Sequence, residues 1–522
     1  MEKTSFSFSP SLTIRDIELD NSGRLLFVGE NNQIQVFSSG VNDNTVTLTS
    51  GALAITQANS TDLISTTTSG SAFRISPANG HATADFSGVS TINVTFTAGN
   101  ETATFDSTHF SFIPKVTISG GTSTDSVVIQ GSHVVTFTGT GTYGGGTKIQ
   151  SGVLAFNNGA ALGSGAVTLS TGAELRGIGT VTLNNTVNFA GGTTNAVISA
   201  AAGGLVTLNH LDTTNTNKLT FGSVGNTGTV TLGSGVTLGA NITGVTVAYG
   251  TLANGGGFSQ LVSPSQITTT VNTGAKLALQ DISTTINSLR GSGSVTLGVK
   301  APTALTLNDA TFGGVISGAG SVTAANPLIF TGANTYTGGT TIAAGESITL
   351  GQGGTTGSIT GSVSVASGGS LIFDRSNAYS FAGVISGAGG VTQEGAGVLT
   401  LTGGNTYTGG TNITSGVLAF SRNNAFGSGP VVLSNGAELR GSGTVTLGNA
   451  VSFASGTTRA TISAAAGATI TLNNLDGTNT GAITFGSAGT TGTIALGPGI
   501  TPVPAATTAT VAFGTLRNAG GL

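Results

Sequence analysis

Two pairs of acidic and basic residues have a spacing that could support chemistry. Glu174 lies two residues before Arg176, and Glu438 lies two residues before Arg440. In a strand this spacing places both side chains on one side. Such a pair could provide the acid and base needed to cleave a polysaccharide. It could equally be an ion pair on a solvated face, contributing at most about 1 kcal/mol.

The chain's own internal copies favour the ion pair. A phrase of the form Leu/Ile-Arg/Ser-Gly-x-Gly-x-Val occurs five times. Its second position is Arg176, Arg290 and Arg440 in three copies but Ser317 and Ser386 in the other two. A group that one copy needed for catalysis would not be expected to alternate with serine in this way. We therefore predict no catalytic residues in this chain.

The remaining charged and imidazole side chains are isolated in the sequence. Asp309 and the Asp374-Arg375 pair are interpreted as turn formers. The four histidines lack the spacing of a metal site, and Asn474 replaces one of them in a second copy of its segment. These histidines are His81, His109, His133 and His210. We expect no metal and no cofactor.

Three further patterns have a functional and a structural interpretation. The glycine-rich residues 254–257 lack the lysine and helix of a phosphate-binding loop. Threonine doublets at 136/138, 180/182 and 229/231 could form a flat outward array of the ice-binding type, but threonine is also simply a good strand residue. Tyr143, Tyr336 and Tyr407 could stack on sugars; more commonly such tyrosines pack on a neighbouring coil and bond their hydroxyl locally.

Composition indicates a folded chain without strong long-range charge. Of 522 residues, 86 are glycine and only 7% are charged, while 38% are hydrophobic. The net charge of −4 is too small to steer nucleic acid, so no nucleic-acid partner is expected. Cysteine is absent, which excludes disulfides and thiolate metal sites.

Internal repeats dominate the sequence. Residues 381–413 contain FAGVISGAGGV and GGNTYTGGTNI; residues 312–322 and 332–342 repeat both phrases, and residues 139–149 are a weaker copy of the second. Residues 134–258 also align without a gap on residues 398–522, with roughly three in five identical. Repeats at this scale are typical of solenoids, in which stacked units set the loop lengths.

The strand pattern predicts a parallel β-solenoid. Apolar segments of three or four residues are separated by Gly, Ser, Asn and Thr, and equivalent strands recur about every 20 to 27 residues, which suits one coil of a β-helix. The residues after 133 would form on the order of 15 to 19 coils. Glycines are expected at the coil corners, and Asn334 and Asn405 at turns, with stacked amides or bonds to the backbone.

The repeat phrases resemble the autotransporter-associated β-strand repeat of bacterial type V secreted proteins. The resemblance rests on residues 312–342 and 381–413, with a weaker copy at 139–149. It implies a right-handed parallel β-helix at a bacterial surface or released from it, commonly an adhesin or spacer, with no catalytic residues to transfer. The sequence departs from a whole autotransporter in lacking a signal peptide and a C-terminal series of amphipathic strands, so we expect no membrane insertion by this chain.

We predict four regions: an irregular β-rich cap or small β domain at 1–133, solenoid module A at 134–258, middle repeats at 259–397, and module B at 398–522. Residues 1–133 carry eleven acidic and five basic residues, whereas the remainder carries nine and eleven. The last residues still have the solenoid pattern, so we expect the final coil to be covered by further chain or by another subunit.

The predicted function is that of a non-enzymatic extracellular or cell-surface β-solenoid. It would act in adhesion to a host surface, neighbouring cell or glycan, or in self-association, including end-to-end assembly into a fibre. The alternative is a carbohydrate-active β-helix enzyme, a polysaccharide lyase or hydrolase, or a glycan binder of the tailspike type.

Overall fold

The computed structural model describes residues 125–520, with gaps at 238–240, 256–259, 262–266, 281–282, 299–302, 477–480, 499 and 501–507, and eleven strands between residues 14 and 120. The chain divides into two compact units, Met1–Phe258 and Ser259–Leu522. Together they contain about 18 turns of an all-parallel β-solenoid. The solenoid fold predicted from the sequence is confirmed, and the four predicted regions stay predictions.

The strands that the structure describes in the first unit are mostly three to six residues long. They are β1 (Ile14–Leu19), β2 (Leu25–Gly29), β3 (Ile34–Phe37), β4 (Thr45–Thr49), β5 (Ala52–Gln57), β6 (Ile64–Ser69), β7 (Ala72–Pro77), β8 (Ala84–Ser87), β9 (Thr91–Phe96), β10 (Thr102–Asp106), β11 (Lys115–Gly120), β12 (Ser126–Gln130), β13 (Val134–Phe137), β14 (Thr147–Ile149), β15 (Val153–Phe156), β16 (Val167–Leu169), β17 (Glu174–Gly177), β18 (Thr180–Phe189), β19 (Ala196–Ala200), β20 (Leu205–Asp212), β21 (Lys218–Phe221), β22 (Thr229–Thr237), β23 (Gly244–Val247) and β24 (Thr251–Asn254).

From β9 onward the strands of the first unit alternate between two parallel sheets. Odd-numbered strands β9 to β23 pair in sequence order, and even-numbered strands β10 to β24 do the same. Each coil therefore lays its strands on those of the coil before, about 4.8 Å away. Side-chain partners on neighbouring coils are consequently 18 to 27 residues apart.

The backbone of β1 to β8 pairs differently. β1, β2 and β3 form an antiparallel meander, β4 and β5 form an antiparallel pair, and β6, β7 and β8 form a second meander. Parallel stacking then starts where β9 pairs with β5 and β10 pairs with β6. The irregular N-terminal β region expected from the sequence is thus seen as antiparallel pairs that precede the coils.

The second unit is also built of short strands. They are β25 (Gln260–Leu261), β26 (Thr268–Val271), β27 (Lys276–Leu279), β28 (Thr284–Ile286), β29 (Ser288–Gly291), β30 (Ser294–Leu297), β31 (Ala304–Leu307), β32 (Ala310–Phe312), β33 (Val315–Gly318), β34 (Ser321–Ala324), β35 (Leu328–Phe330), β36 (Thr340–Ile342), β37 (Ser347–Gly354), β38 (Val363–Val365), β39 (Ser370–Arg375), β40 (Tyr379–Phe381), β41 (Ile385–Ser386), β42 (Gly390–Gln393), β43 (Val398–Leu401), β44 (Thr411–Ile413), β45 (Val417–Phe420), β46 (Val431–Leu433), β47 (Glu438–Gly441), β48 (Thr444–Leu447), β49 (Val451–Phe453), β50 (Ala460–Ala464), β51 (Thr469–Leu472), β52 (Ala482–Phe485), β53 (Thr493–Leu496), β54 (Thr508–Val511) and β55 (Thr515–Asn518).

Parallel pairing continues through the second unit in several sheets. One sheet runs β25–β28–β31–β34–β36–β38–β41, and another runs from β26 through β29, β32, β35, β37, β39, β42, β44 and β46 to β49. Two more sheets have the strand orders β40–β43–β45–β47–β50–β52–β54 and β48–β51–β53–β55.

In each unit the core consists of apolar side chains inside the coils. Inward positions are buried and outward positions are not, as the alternation of buried and exposed residues in β36, β38 and β44 shows. A three-residue strand has only two inward side chains. Leu, Ile, Val and Phe fill most of these inward positions. The strands are held by this burial and by coil-to-coil backbone hydrogen bonds.

Candidate functional site

The structure brings the Glu174–Arg176 pair together with two serines that come from later coils. Arg176 Nε donates a hydrogen bond of 2.9 Å to Glu174 Oε1. Ser199 Oγ, on the neighbouring strand β19, donates to the same oxygen at 2.5 Å. Ser223 Oγ, two residues after the end of β21, also donates to it, at 2.7 Å. One carboxylate oxygen therefore collects three donors from three successive coils.

Module B repeats this arrangement. Arg440 Nε, Ser463 Oγ and Ser487 Oγ donate to Glu438 Oε1 at 2.8, 2.6 and 2.8 Å. Both glutamate side chains are nearly covered, with 10% and 12% of their surface exposed. We call each set a three-coil cluster. A glutamate, an arginine and two serines thus meet twice, at positions 264 residues apart in the chain.

The three donors change how each glutamate ionises. Burial alone would raise the pKa of Glu174, but the hydrogen bonds from Arg176, Ser199 and Ser223, together with the charge of Arg176, outweigh it. The pKa of Glu174 consequently lies below its ordinary value of 4.5. Glu438 shows the same direction for the same reasons. A carboxylate held as an anion in this way is a poor proton donor at neutral pH. Its three hydrogen bonds instead join strands of successive coils.

Arg290, the third arginine of the repeated phrase, also binds a carboxylate, but this carboxylate does not lie two residues before it in the chain. Ser288 stands where the glutamate stands in the other two copies, and Asp309 in the turn before β32 takes over as partner. Arg290 Nη2 and Ser288 Oγ both donate to Asp309 Oδ2. The sequence predicts a turn at Asp309, and the structure adds this ion pair. Its side chain is 47% exposed, so the pair contributes little to stability.

Arg375 joins its own strand to the loop at residues 355–357. Its Nη1 and Nη2 atoms donate to the carbonyl oxygens of Gly357 and Thr355 at 2.6 and 2.5 Å. Its guanidinium carbon also lies 4.5 Å from the centre of the Tyr379 ring. Asp374 precedes it in β39 and pairs with Gly351 in the neighbouring strand, so the prediction that Asp374 and Arg375 form a turn is wrong. These contacts make Arg375 a structural residue.

The three tyrosines that were candidates for sugar stacking are fully buried. Tyr143, Tyr336 and Tyr407 each have 0% of their surface exposed. Each hydroxyl bonds the hydroxyl of the threonine four residues later, at 2.7, 2.7 and 2.6 Å. Those threonines are Thr147, Thr340 and Thr411, and they occupy inward positions of β14, β36 and β44. The motif therefore places a polar pair inside the apolar core and satisfies it there.

The asparagines of the same motif bond backbone of the neighbouring coils and do not stack on each other. Asn334 Oδ1 accepts the amide hydrogen of Ile316 at 2.8 Å, and Asn405 Oδ1 accepts that of Ile385 at the same distance. The weaker copy has Gly141 at this position. Of the two expectations for these residues, the bond to backbone is the one observed.

Two further asparagines were missed by the sequence analysis. Asn185 Nδ2 donates to the carbonyl oxygens of Gly163 and Gly165 on the preceding coil, at 3.0 and 2.7 Å. Asn449 makes the equivalent bonds to Gly427 and Gly429, at 3.2 and 2.7 Å. One feature of the sequence could have identified them: Asn185 and Asn449 are identical in the two modules, whereas the residues beside them differ.

The histidines do not assemble into a site in the part of the chain that the structure describes. His133 Nδ1 lies 3.1 Å from Ser132 Oγ, and His210 is exposed on β20. His81 and His109 lie outside the described residues, as do Gly256 and Gly257 of the glycine-rich string. Searched over the described residues alone, no group of three or more His, Cys, Asp or Glu could hold a metal ion.

The threonine doublets of module A form only a broken array. Thr182, Thr207 and Thr231 are stacked partners in β18, β20 and β22. In the adjacent row, however, Leu205 separates Thr180 from Thr229. In the second unit a longer row of hydroxyls points outward over six coils: Thr285, Thr306, Thr323, Thr341, Ser364 and Ser386.

The comparisons with known proteins agree with this geometry. Residues 130–156, 328–346 and 391–420 match the family model of the Passenger-associated-transport-repeat. Each matched stretch contains one buried tyrosine–threonine pair and the strand that carries its threonine. The chain carries passenger-associated-transport repeats.

Passenger-associated-transport repeats belong to the passenger regions of autotransporters, so the resemblance stated from the sequence is confirmed. The three stretches cover a small part of the chain. No curated protein matches the chain. No helix in the described residues is long and apolar enough to cross a membrane.

Proposed function

We propose that this chain is a non-enzymatic structural component of a bacterial surface or secreted protein. The observation that carries the proposal is that the passenger-associated-transport repeats form coils of a parallel solenoid. Their polar side chains, including Asn405, bond the adjacent coil. Such side chains stabilise the scaffold, and the repeat family supports secretion to the cell surface or beyond it.

Surface display is tested in the bacterium that produces the protein. Antibody labelling of intact cells, with protease treatment as a second measurement, is expected to find the chain outside the cell or in the medium. The proposal would be contradicted if the chain were found only inside cells that export other autotransporter passenger proteins normally.

We further propose that the surface acts in adhesion or in association between copies, including end-to-end assembly into a fibre. The outward row from Thr285 to Ser386 offers hydroxyl groups on six successive coils. Adjacent strands repeat every 4.8 Å or so, which gives a partner evenly spaced hydrogen-bonding groups. Such a surface suits a neutral partner of extended form, namely a glycan or another copy of the chain.

Sedimentation and electron microscopy of the purified chain test association, and binding to immobilised glycans tests adhesion. Replacing Thr323 and Thr341 with lysine should weaken association, because the added positive charges repel the same charges on a second copy. It should also weaken glycan binding, because it removes two hydroxyl groups from the row. The matched control replaces Thr446 and Thr471 with lysine, since these residues are direct partners that face outward on a different sheet. Compact monomers at high concentration, together with no glycan binding, would contradict this part of the proposal.

The enzyme alternative is tested directly. Acidic polysaccharides are incubated with the purified chain and with its Glu438→Gln and Arg440→Gln variants. We expect no turnover by any of them. Turnover by the unmodified chain would establish a carbohydrate-active enzyme instead, and its reduction in the folded variants would place the activity at Glu438 and Arg440.

A further inference from the structure

The three-coil clusters join strands that are not neighbours. Glu174 lies on β17 and Ser199 on the adjacent β19, whereas Ser223 follows β21, which pairs with β19 and not with β17. Backbone hydrogen bonds join only adjacent strands, so the bond from Ser223 to Glu174 adds a link across the intervening coil. This link exists only when all three coils are stacked in the correct register.

Additional bonds fix the last donor of each cluster. Asn226 Nδ2 donates to Ser223 Oγ at 2.8 Å. At the equivalent place in module B, the Thr490 hydroxyl lies 3.3 Å from Ser487 Oγ and accepts the backbone amide hydrogen of Ser487 at 2.7 Å. The two modules therefore hold their outermost serine by different residues but direct it to the same carboxylate oxygen.

We propose that the two three-coil clusters are acid-sensitive clamps, each locking three successive coils in register. The carboxylate anion accepts all three donors on one oxygen. Protonation removes the negative charge that attracts the arginine and weakens the bonds from both serines, since hydrogen bonds to a charged acceptor are the stronger ones. Acid would then release the first coil from the third while leaving the backbone ladders between adjacent coils in place.

The charged surroundings of the two clamps are simple. The strands packed against β17 are β15 and β19, which carry no titratable side chain, and β21 beyond them begins with Lys218. In module B, Ala482 replaces Lys218, and Arg459 stands just before β50. Apart from the arginine inside each clamp, the neighbouring charges thus differ between the modules. Acid sensitivity shared by both would accordingly come from the glutamates.

The sign of the pH effect follows from the lowered pKa of both glutamates. A group whose pKa is lower in the folded state stabilises that state above its unfolded pKa. For these glutamates the unfolded value is about 4.5. Their contribution is complete at neutral pH and is lost as the pH falls through the folded value.

Hydrogen exchange on the full chain, corrected for the intrinsic effect of pH, tests the clamps. Between pH 7 and pH 3 we expect the protection of amide groups in β17, β19, β47 and β50 to fall by about tenfold more in the unmodified chain than in a Glu174→Gln, Glu438→Gln double variant, because hydrogen bonds to a neutral acceptor are weaker. Glutamine resembles the protonated glutamate in shape and charge, so this variant should already be less protected at pH 7. An Asp309→Asn control, which alters an exposed ion pair, should leave these strands unchanged.

A second variant tests whether the clamp spans three coils. Ser223→Ala removes one hydroxyl and should reduce protection in β17 as well as in β21, although β17 and β21 do not pair. Loss of protection confined to β21, or an unchanged acid response in the double glutamine variant, would overturn the proposal.

Discussion

At the scale of single residues, the main feature of the repeat is a pair of buried hydroxyl groups, one from a tyrosine and one from a threonine. Thr340 occupies an inward position that Val322 and Val363 occupy on the coils before and after it. A threonine there needs a hydrogen-bonding partner, because a buried hydroxyl without one costs about 1–3 kcal/mol. Tyr336 provides that partner from the same coil. The tyrosine and the threonine of the repeat are therefore one structural feature.

Tyr336→Phe tests this pairing. The substitution leaves the Thr340 hydroxyl buried and unsatisfied, and we expect a local stability loss of about 1–3 kcal/mol, measured by hydrogen exchange in β34, β36 and β38. Adding Thr340→Val should recover most of the loss, since replacing both polar partners by apolar groups can be nearly neutral. A double variant as unstable as the single one would argue against the pairing.

At the scale of the element, glycines decide where a strand can end and turn. Gly387 closes the Ile-Ser-Gly phrase with a φ of +101°, and Gly318 closes the other copy with a φ of +104°. A Cβ on Gly387 would lie 2.2 Å from the carbonyl oxygen of Val365 on the preceding coil. The corner therefore needs glycine both for its backbone angle and for the close approach of two coils.

A comparison of two glycine-to-alanine substitutions separates these causes. Gly436→Ala, at a φ of +78° with open space around it, should cost about 1 kcal/mol from backbone strain alone. Gly387→Ala has the same backbone strain and also forces the backbone at Val365 to move, so it should cost at least about 1–2 kcal/mol more. Local hydrogen exchange of the flanking strands measures both. Equal costs would show that the approach to Val365 is easily relaxed.

At the scale of the whole molecule, the duplication implies that equivalent positions have equivalent energetics. Leu154 in module A and Leu418 in module B are both fully buried, and each pairs on one side with a leucine, Leu175 or Leu439. In a solenoid, stability is close to a sum of repeat and nearest-neighbour terms. A change at either site should therefore be felt locally and to the same degree.

Leu154→Ala and Leu418→Ala are accordingly expected to cost about 2–5 kcal/mol each and to agree within about 1 kcal/mol. Hydrogen exchange resolves the two sites separately, which is needed because unfolding of a long repeat array is not two-state. Costs that differ by more than about 2 kcal/mol would mean that the modules do not share one local environment.

Local features of the sequence determined the class of fold. Strands of three or four alternating residues, such as Val167–Leu169, have too few inward positions to form a core except by stacking on copies of themselves. Positive φ at Gly318 and Gly387 and the need to pair Tyr336 with Thr340 act within a few residues. Physical rules that operate over such short distances can be read from the chain directly.

Only the tertiary structure decided which distant groups meet. Ser199 and Ser223 reach Glu174 from 25 and 49 residues away, whereas Asp309 reaches Arg290 from 19. Coil lengths vary, so the register of one coil on the next depends on how those coils pack. The sequence could therefore predict an ion pair between Glu174 and Arg176, but the serines that complete each cluster became apparent only once the coils were stacked.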